Sequence, residues 1–219
     1  MNIRNYCNFL FDLDGTLIDS FGDIKLSLEN SYKAILNKNV LVSRNQIGPP
    51  LTEMIEELTP GLGDEYKQAI IKEFRNTYDN SSYELTGEVE GAIQLLSQLH
   101  NSDKQLFLVT NKSYKPTLRI LEKMNIGFFR EIAAPDKFEK RFNKSELIQY
   151  LIVTYNLDVR KTVMIGDTRH DVIAAKANSL DSISVLNGYD SVENLRNEKP
   201  TLIVNNLIQL QVNLNNYDR

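Results

Sequence analysis

The sequence has 219 residues, of which 42% are apolar, and its formal net charge at pH 7 is −4. A chain of this size can bury one full core and still carry a modest second domain. The charge lacks the basic excess that is typical of proteins that bind nucleic-acid backbones. Composition therefore argues against a nucleic-acid partner and leaves a nucleotide substrate open.

The longest apolar stretches, residues 8–11 and 147–153, fall far short of the roughly 18 apolar residues that a membrane span needs. Polar residues within 2–5 interrupt the N-terminus too early for a signal peptide. Together these observations predict a cytoplasmic protein with no membrane partner.

Cysteine and histidine are scarce in this chain. The single cysteine, Cys7, cannot form an internal disulfide, and we expect it to be a small buried apolar residue. The two histidines, His100 and His170, are too few for a histidine-rich metal site. We expect His170 to be a partly exposed loop residue.

The first predicted element is a short buried strand at residues 8–11, which opens into the turn Asp12-Leu13-Asp14-Gly15. From Ile18 to about Tyr78 the apolar residues recur at helical spacing. This change of period predicts an all-helical insert directly after the first strand.

Beyond Gly87 the sequence alternates between helical and strand patterns. The predicted helices are at residues 89–99, 115–124, 145–155 and 171–177, with a closing helix at 207–214. The predicted strands are at residues 105–109, 129–133, 162–165 and 182–186, with an edge strand at 202–204. Such alternation predicts an α/β fold, in which a parallel sheet has helices on both faces.

The residues just after the predicted strands are candidates for a functional site, because ligands of open α/β sheets bind beyond the carboxyl ends of the strands. These residues bring four carboxylates, one hydroxyl and a lysine to one edge of the sheet. They are Asp12, Asp14, Thr110, Asn111, Lys112, residues 136–144, Asp167 and Asp171.

The aspartates also have purely structural explanations. Asp12 and Asp14 could mark a turn, and Asp171 could cap the helix that it begins. If they form a site, oxygen ligands without histidine or cysteine favour Mg²⁺. A magnesium ion would also relieve the repulsion among the carboxylates.

Four segments, in chain order, resemble the four motifs of the haloacid dehalogenase superfamily: Phe11 to Leu17, Val109 to Lys112, Lys144, and Gly166 to Asp171. The resemblance spans essentially the whole chain. The helical insert resembles the small cap of the phosphoglycolate phosphatase-like branch, in which segments similar to residues 47–51 and 187–191 are common. The family implies a Rossmann-like core from residues 1–16 and 86–219, and a helical cap from residues 17–85.

The resemblance implies a phosphatase that acts on a small phosphate monoester. Asp12 would be the nucleophile that forms an aspartyl-phosphate, and Asp14 would be the general acid and later the base. Thr110, the backbone N–H near Asn111 and Lys144 would surround the transferring phosphoryl oxygens.

The same resemblance implies a magnesium cofactor. Its ligands would be the carboxylates of Asp12 and Asp167 and the main-chain carbonyl of Asp14. Asp171 would either support these ligands without contacting the metal or bind the metal through a water molecule.

The choice of the phosphate-binding lysine is open at this point. Lys144 directly precedes a periodic helix, which favours it over Lys140 in the same basic cluster. Lys112 either contacts the substrate or is simply exposed.

The cap residues Gly48, Pro49 and Pro50 are candidate substrate contacts, but they carry no charge that would indicate which leaving group they bind. Phosphoglycolate, a sugar phosphate, a nucleoside monophosphate and pyrophosphate all remain open as substrates. We expect a monomer or a small homo-oligomer, because no large apolar face is obviously left over.

Three other functions are compatible with a fold of this kind. A halide-releasing dehalogenase needs neither an acid at Asp14 nor the pair Asp167 and Asp171. A phosphosugar mutase shares the nucleophile, acid, metal and cap, and nothing decisive in the sequence excludes it. A non-catalytic phosphate-binding protein on the same fold would be expected to have lost a motif residue, and none is lost.

Overall fold

The computed structural model of the protein describes residues 3–215 and places a six-stranded, all-parallel sheet at the centre. The sheet has the order β5-β4-β1-β6-β7-β8, and β2 pairs with β3 in a separate antiparallel ribbon. The strands are β1 (Asn8–Phe11), β2 (Ile18–Asp19), β3 (Gly87–Glu88), β4 (Gln105–Val109), β5 (Glu131–Ala133), β6 (Thr162–Gly166), β7 (Asp181–Val185) and β8 (Leu202–Val204).

Nine helices accompany these strands within residues 3–215. They are α1 (Phe21–Leu36), α2 (Leu51–Leu58), α3 (Asp64–Tyr78), α4 (Ala92–Asn101), α5 (Tyr114–Lys123), α6 (Lys144–Tyr155), α7 (Arg169–Ala177), α8 (Val192–Asn197) and α9 (Leu207–Asn215). Helices alternate with strands from β3 onward, so the predicted α/β class is confirmed.

Side chains of the central strands alternate between two apolar layers. Phe9 and Phe11 of β1 point into one cluster, which includes residues of α4 and α9, whereas Leu10 points into a second cluster with residues of α6 and α7. Because successive side chains of a strand face opposite sides, a strand that is buried on both faces is apolar except where a buried polar group finds a partner, as Asn8 does by donating to the Thr162 hydroxyl at 3.0 Å. This requirement explains the unbroken apolar run at the start of the chain.

The three helices α1, α2 and α3 lie between β2 and β3, within the predicted insert. The ribbon pairs Ile18 with Glu88 and Asp19 with Gly87, so the chain enters and leaves this helical segment side by side. Tyr32 and Ile70 of the insert belong to the same buried cluster as Phe11 of the sheet. The insert is therefore packed against the sheet domain.

Several predicted boundaries shift by a few residues. The helix predicted from residue 89 begins at Ala92, because Gly91 has the left-handed φ of +86°. The strand predicted from residue 129 begins at Glu131. Cys7 is exposed, so its predicted burial was wrong. It precedes β1 at the amino end of the sheet, where its backbone pairs with Lys161 and Gln105 but its side chain faces outward.

No helix within residues 3–215 has both the length and the apolar character needed to cross a membrane.

We predict that Leu10→Ala lowers the free energy of unfolding by about 2–5 kcal/mol, because a fully buried side chain in the central strand would leave a cavity. Urea unfolding measures this change. The matched control is Leu41→Ala, whose side chain is 81% exposed and whose loss should change stability by less than about 0.5 kcal/mol. Equal effects of the two substitutions would contradict the described packing.

Candidate active site

The candidate site lies at the carboxyl end of β1. This strand is flanked by β4 on one side and by β6 on the other, so the chain order reverses across it. Asp12 follows β1, Thr110 follows β4 and Asp167 follows β6. This is the switch point at which α/β sheets bind ligands, and the predicted convergence at one sheet edge is observed.

Three buried carboxylates meet there. Asp12, Asp167 and Asp171 each offer an oxygen atom, and these oxygens all lie within 4.8 Å of one another. Gly15 makes the close approach possible, because a Cβ atom at this position would lie 2.2 Å from Asp167 Oδ2. Its φ of +84° also favours glycine.

Lys144 supplies a positive charge to this cluster. Its Nζ is 2.8 Å from Asp12 Oδ1 and 2.6 Å from Asp171 Oδ1, and its side chain is 5% exposed. It is the first residue of α6, where Asn143 caps the helix by accepting a hydrogen bond from the Glu146 backbone N–H. Lys140, the other lysine considered, is 76% exposed and lies near Glu146 instead.

The positive charge of Lys144 does not neutralise all three carboxylates of this cluster. Burial raises the pKa of Asp12, Lys144 lowers it and Asp171 raises it, with a net value of about 7. Burial and the charges of Asp12 and Asp171 raise the pKa of Asp167 well above its usual range. Burial lowers the pKa of Lys144, but the attraction of Asp12 and Asp171 outweighs this effect and raises it overall. Three carboxylates facing one ammonium group favour the binding of a further cation.

Hydrogen bonds from neighbouring loops orient Asp167. The Thr16 hydroxyl donates to Oδ1 at 2.7 Å, and the Tyr189 backbone N–H donates to Oδ2 at 2.7 Å. Sequence reasoning assigned no role to Thr16 or Tyr189. Thr16 lies in the first motif and Tyr189 in the family-like segment 187–191, but no local pattern in the sequence indicates that these two loops meet.

Asp171 caps a helix and also contacts the lysine of the cluster. Its Oδ2 accepts hydrogen bonds from the Thr168 backbone N–H at 3.0 Å and the Thr168 hydroxyl at 2.8 Å, which caps α7, while Oδ1 contacts Lys144. This capping box starts the helix at Arg169. The predicted loop position of His170 was therefore wrong, since His170 lies in the first turn of α7.

The Asp14 side chain lies apart from the three-carboxylate cluster. Its Oδ1 accepts a hydrogen bond from the Ser20 hydroxyl and lies 3.0 Å from Lys112 Nζ. Lys112 Nζ also donates to the Tyr78 hydroxyl at 2.6 Å, and its side chain is almost fully buried. The alternative of an exposed Lys112 was therefore wrong.

A cleft with about 540 Å³ of empty space, part of it open to solvent, lies between this site and the helical insert. Gly48 and Pro49 line it, whereas Pro50 precedes α2 outside the lining. The Asn111 side-chain amide donates to the Gly48 carbonyl at 2.8 Å. Gly48 has a φ of +119°, and a Cβ atom there would lie 2.8 Å from Thr168 Cγ2. A glycine is thus required where the insert meets the core.

Comparison with known protein families identifies the class of enzyme to which this fold and this aspartate site belong. A sequence model of the haloacid dehalogenase-like hydrolases matches residues 9–185, which is most of the chain. The protein belongs to the haloacid dehalogenase-like hydrolase family.

Individual relatives narrow this class to the phosphatases. A phosphoglycolate phosphatase of Pseudomonas fluorescens Pf-5 is 27% identical over 207 residues, covering 90% of this chain and 76% of the relative. A phosphoglycolate phosphatase of Vibrio vulnificus CMCP6 is also 27% identical and covers 91% and 92% of the two chains. The crystal structure of a predicted phosphatase from Clostridium acetobutylicum is 31% identical, with a TM-score of 0.86 and coverage of 94% and 97%. The chain is a phosphatase of this family, similar to its phosphoglycolate phosphatase-like branch.

We predict that Asp12→Asn stabilises the metal-free protein more at pH 7.5 than at pH 5. The folded-state pKa of Asp12 is about 7, above the ordinary 3.8, so this group loses stabilising free energy as the pH rises from about 4 to about 7. Asparagine has no such loss, and the advantage of the variant should grow by roughly 2–3 kcal/mol between the two pH values.

Urea unfolding in the presence of a chelator measures this difference. Adding Mg²⁺ at pH 7.5 should reduce the stability advantage of Asp12→Asn, because the ion stabilises the parent protein. The same difference at both pH values would show that Asp12 carries no raised pKa.

Proposed function

We propose that the protein is a magnesium-dependent phosphatase that hydrolyses a small phosphate monoester through an aspartyl-phosphate on Asp12. The observation that carries this proposal is the arrangement of Asp12 and Asp14 at the end of β1, with Lys144 Nζ 2.8 Å from Asp12 Oδ1. A buried carboxylate with a fixed ammonium group beside it can attack a phosphorus atom while the phosphoryl charge is stabilised.

Two steps follow from this arrangement. A carboxylate oxygen of Asp12 bonds to phosphorus as the bond to the ester oxygen breaks, and Asp14 gives its proton to the leaving oxygen. Water then attacks the phosphorus, Asp14 takes a proton from that water, and the Asp12 carboxylate is released with inorganic phosphate. Asp14 suits the proton transfers because it lines the cleft but lies outside the three-carboxylate cluster.

The phosphoryl oxygens would be held from three directions. Thr110 is buried at the end of β4, and Lys144 lies at the start of α6. The Asn111 backbone N–H is the third proposed donor. Fixed donors of this kind stabilise the charge of the transition state without having to reorganise.

The residues present fit a magnesium ion. Asp12, Asp167 and Asp171 form a buried all-oxygen set, and their mutual repulsion favours a divalent cation. We propose that Asp12, Asp167 and the Asp14 main-chain carbonyl hold the ion. Asp171 would support these ligands or bind the ion through a water molecule. When bound, Mg²⁺ would neutralise phosphoryl charge and orient the ester.

We further propose that residues 17–85 form a cap over the core domain of residues 1–16 and 86–219. The β2–β3 ribbon would serve as the hinge, since both crossings of the chain run through it. Gly48 and Pro49, which line the cleft from the insert, would contact the leaving group. The names of the relatives make phosphoglycolate the first substrate to test.

Activity should require a divalent cation. Exhaustive chelation is expected to abolish phosphate release, and added Mg²⁺ should restore it, because the carboxylate cluster would otherwise repel a phosphate dianion. A phosphate-release assay over a magnesium titration measures this dependence. Full activity in a metal-free sample would exclude Asp12 and Asp167 as ligands of an essential ion.

Asp14→Asn should lower kcat on unactivated esters by about 100- to 10,000-fold, because an amide can neither give nor take the proton. Magnesium affinity should persist, since the substitution keeps the main-chain carbonyl. An aryl phosphate needs less protonation of its leaving group, so its first step should suffer less and phosphoenzyme should accumulate on Asp12.

Quench-flow measurements and mass spectrometry of the phosphoenzyme test both expectations. Asp64→Asn is the matched control, because Asp64 is almost fully exposed at the start of α3 and should leave kcat unchanged. A thermal melt of the Asp14 variant separates lost chemistry from lost folding, since Lys112 loses its ionic partner. Parent-like turnover of Asp14→Asn on unactivated esters would refute the acid–base assignment.

A further inference from the structure

The carboxylate of Asp14 is held through one of its two oxygens. Oδ1 accepts a hydrogen bond from the Ser20 hydroxyl and lies 3.0 Å from Lys112 Nζ. Among the residues that the structure describes, no protein group donates to Oδ2. Because Asp14 lines the cleft, Oδ2 is the oxygen that is left to exchange a proton with a molecule bound there.

The position of Ser20 is set by Tyr189, a residue from the loop after β7. Ser20 directly precedes α1 and is fully buried. Its backbone N–H donates to the hydroxyl oxygen of Tyr189 at 2.8 Å. This hydrogen bond fixes the Ser20 backbone, and it therefore limits where the Ser20 hydroxyl can lie relative to Asp14.

The Tyr189 hydroxyl is oriented by a third group. It donates its hydrogen to Asp19 Oδ1 at 3.1 Å, so a lone pair of its oxygen is free to accept from Ser20. Asp19 is in turn held by Arg44 of the insert, whose Nη1 and Nη2 lie 3.2 Å and 2.7 Å from the two carboxylate oxygens. Such a two-point contact fixes the plane of the carboxylate.

The backbone of Tyr189 contacts the other half of the site. Its N–H donates to Asp167 Oδ2 at 2.7 Å. The preceding residue, Gly188, packs so closely that a Cβ atom there would lie 2.1 Å from the Asp167 Cβ. Tyr189, whose side chain is almost fully buried, thus links a proposed metal ligand to the residue that holds the proposed acid.

We infer that Ser20 and Tyr189 are positioning residues for proton transfer by Asp14. Ser20 holds Asp14 Oδ1, so that Oδ2 faces the ester oxygen, and Tyr189 fixes Ser20 relative to Asp167. Both roles rest on the proposed function, in which Asp14 exchanges that proton.

The effect of losing this support follows from the geometry of proton transfer. Without the Ser20 hydroxyl, Lys112 would be the one remaining partner of Asp14 Oδ1 within residues 3–215, and the carboxylate could rotate about its side-chain bonds. A misplacement of about 1 Å can cost about 100-fold in rate. The cost should be largest for esters whose leaving oxygen must be protonated as it departs.

Ser20→Ala and Tyr189→Phe each remove one hydroxyl and keep the backbone. The assay uses Mg²⁺ and the fastest ester among 2-phosphoglycolate, glucose 6-phosphate and adenosine 5′-monophosphate. We expect kcat to fall by about 10- to 100-fold in Ser20→Ala and by about 3- to 10-fold in Tyr189→Phe, which acts through Ser20. KM and the Mg²⁺ concentration at half-maximal rate should change by less than about 3-fold.

An activated ester separates positioning of the acid from damage to the rest of the site. With p-nitrophenyl phosphate, the rate of the first-turnover burst should fall by less than about 3-fold in both variants, because the aryl leaving group needs little protonation. The steady-state rate that follows should fall more, since release of phosphate from Asp12 still needs Asp14 as the base.

Each substitution is then repeated in the Asp14→Asn protein. Because Ser20 and Tyr189 act through Asp14, neither should lower kcat there by more than about a further 2-fold. Tyr6→Phe is the matched control. The buried Tyr6 hydroxyl donates to Asp181 Oδ2 at 2.7 Å, and both residues lie at the amino end of the sheet. Its loss should leave kcat unchanged.

The outcomes separate the positioning roles from the proposed function. A parent protein that hydrolyses no phosphate ester with Mg²⁺ would overturn the proposed function and the positioning roles with it. With an active parent, an unchanged kcat in Ser20→Ala would overturn the positioning roles alone. The same conclusion would follow if either substitution cost as much in the Asp14→Asn protein as in the parent, because a general structural defect multiplies with any other loss.

Discussion

Three buried carboxylates repel one another at the end of the central strand, and the surrounding fold must compensate for this repulsion. Asp12, Asp167 and Asp171 place oxygens within 4.8 Å of one another, and among residues 3–215 Lys144 alone brings an opposite charge into contact with them. Removing such charges from water costs several kcal/mol each. The sheet that carries them is buried on both faces, and this apolar core offsets the cost of a site that is built for charge.

The loops around the site stabilise these buried carboxylates. Donors from Thr16, Thr168 and the Tyr189 backbone satisfy oxygens of the carboxylates that would otherwise be buried without partners. Gly15 permits the close approach that brings two strand ends together. The site is therefore held by several separate segments of the chain, and its geometry depends on how the whole sheet assembles.

Asp14 differs from its neighbours because of its surroundings. Although it is only two residues from Asp12, its carboxylate contacts Ser20 and Lys112 at the base of the cleft. Two aspartates in one short motif thus occupy different electrostatic environments, which suits a nucleophile and a proton donor. The insert completes this second environment with Tyr78, so the proposed acid lies where the core and the insert meet.

The α/β class, the helical insert and the strand ends at which the aspartates lie could be predicted from the sequence, because apolar periodicity and motif order are local properties of the chain. It also favoured Lys144 over Lys140. The packing of the folded chain, in contrast, brings Lys112 into contact with Asp14 and with Tyr78. These contacts join residues far apart in the chain, and no local pattern encodes the packing that brings them together.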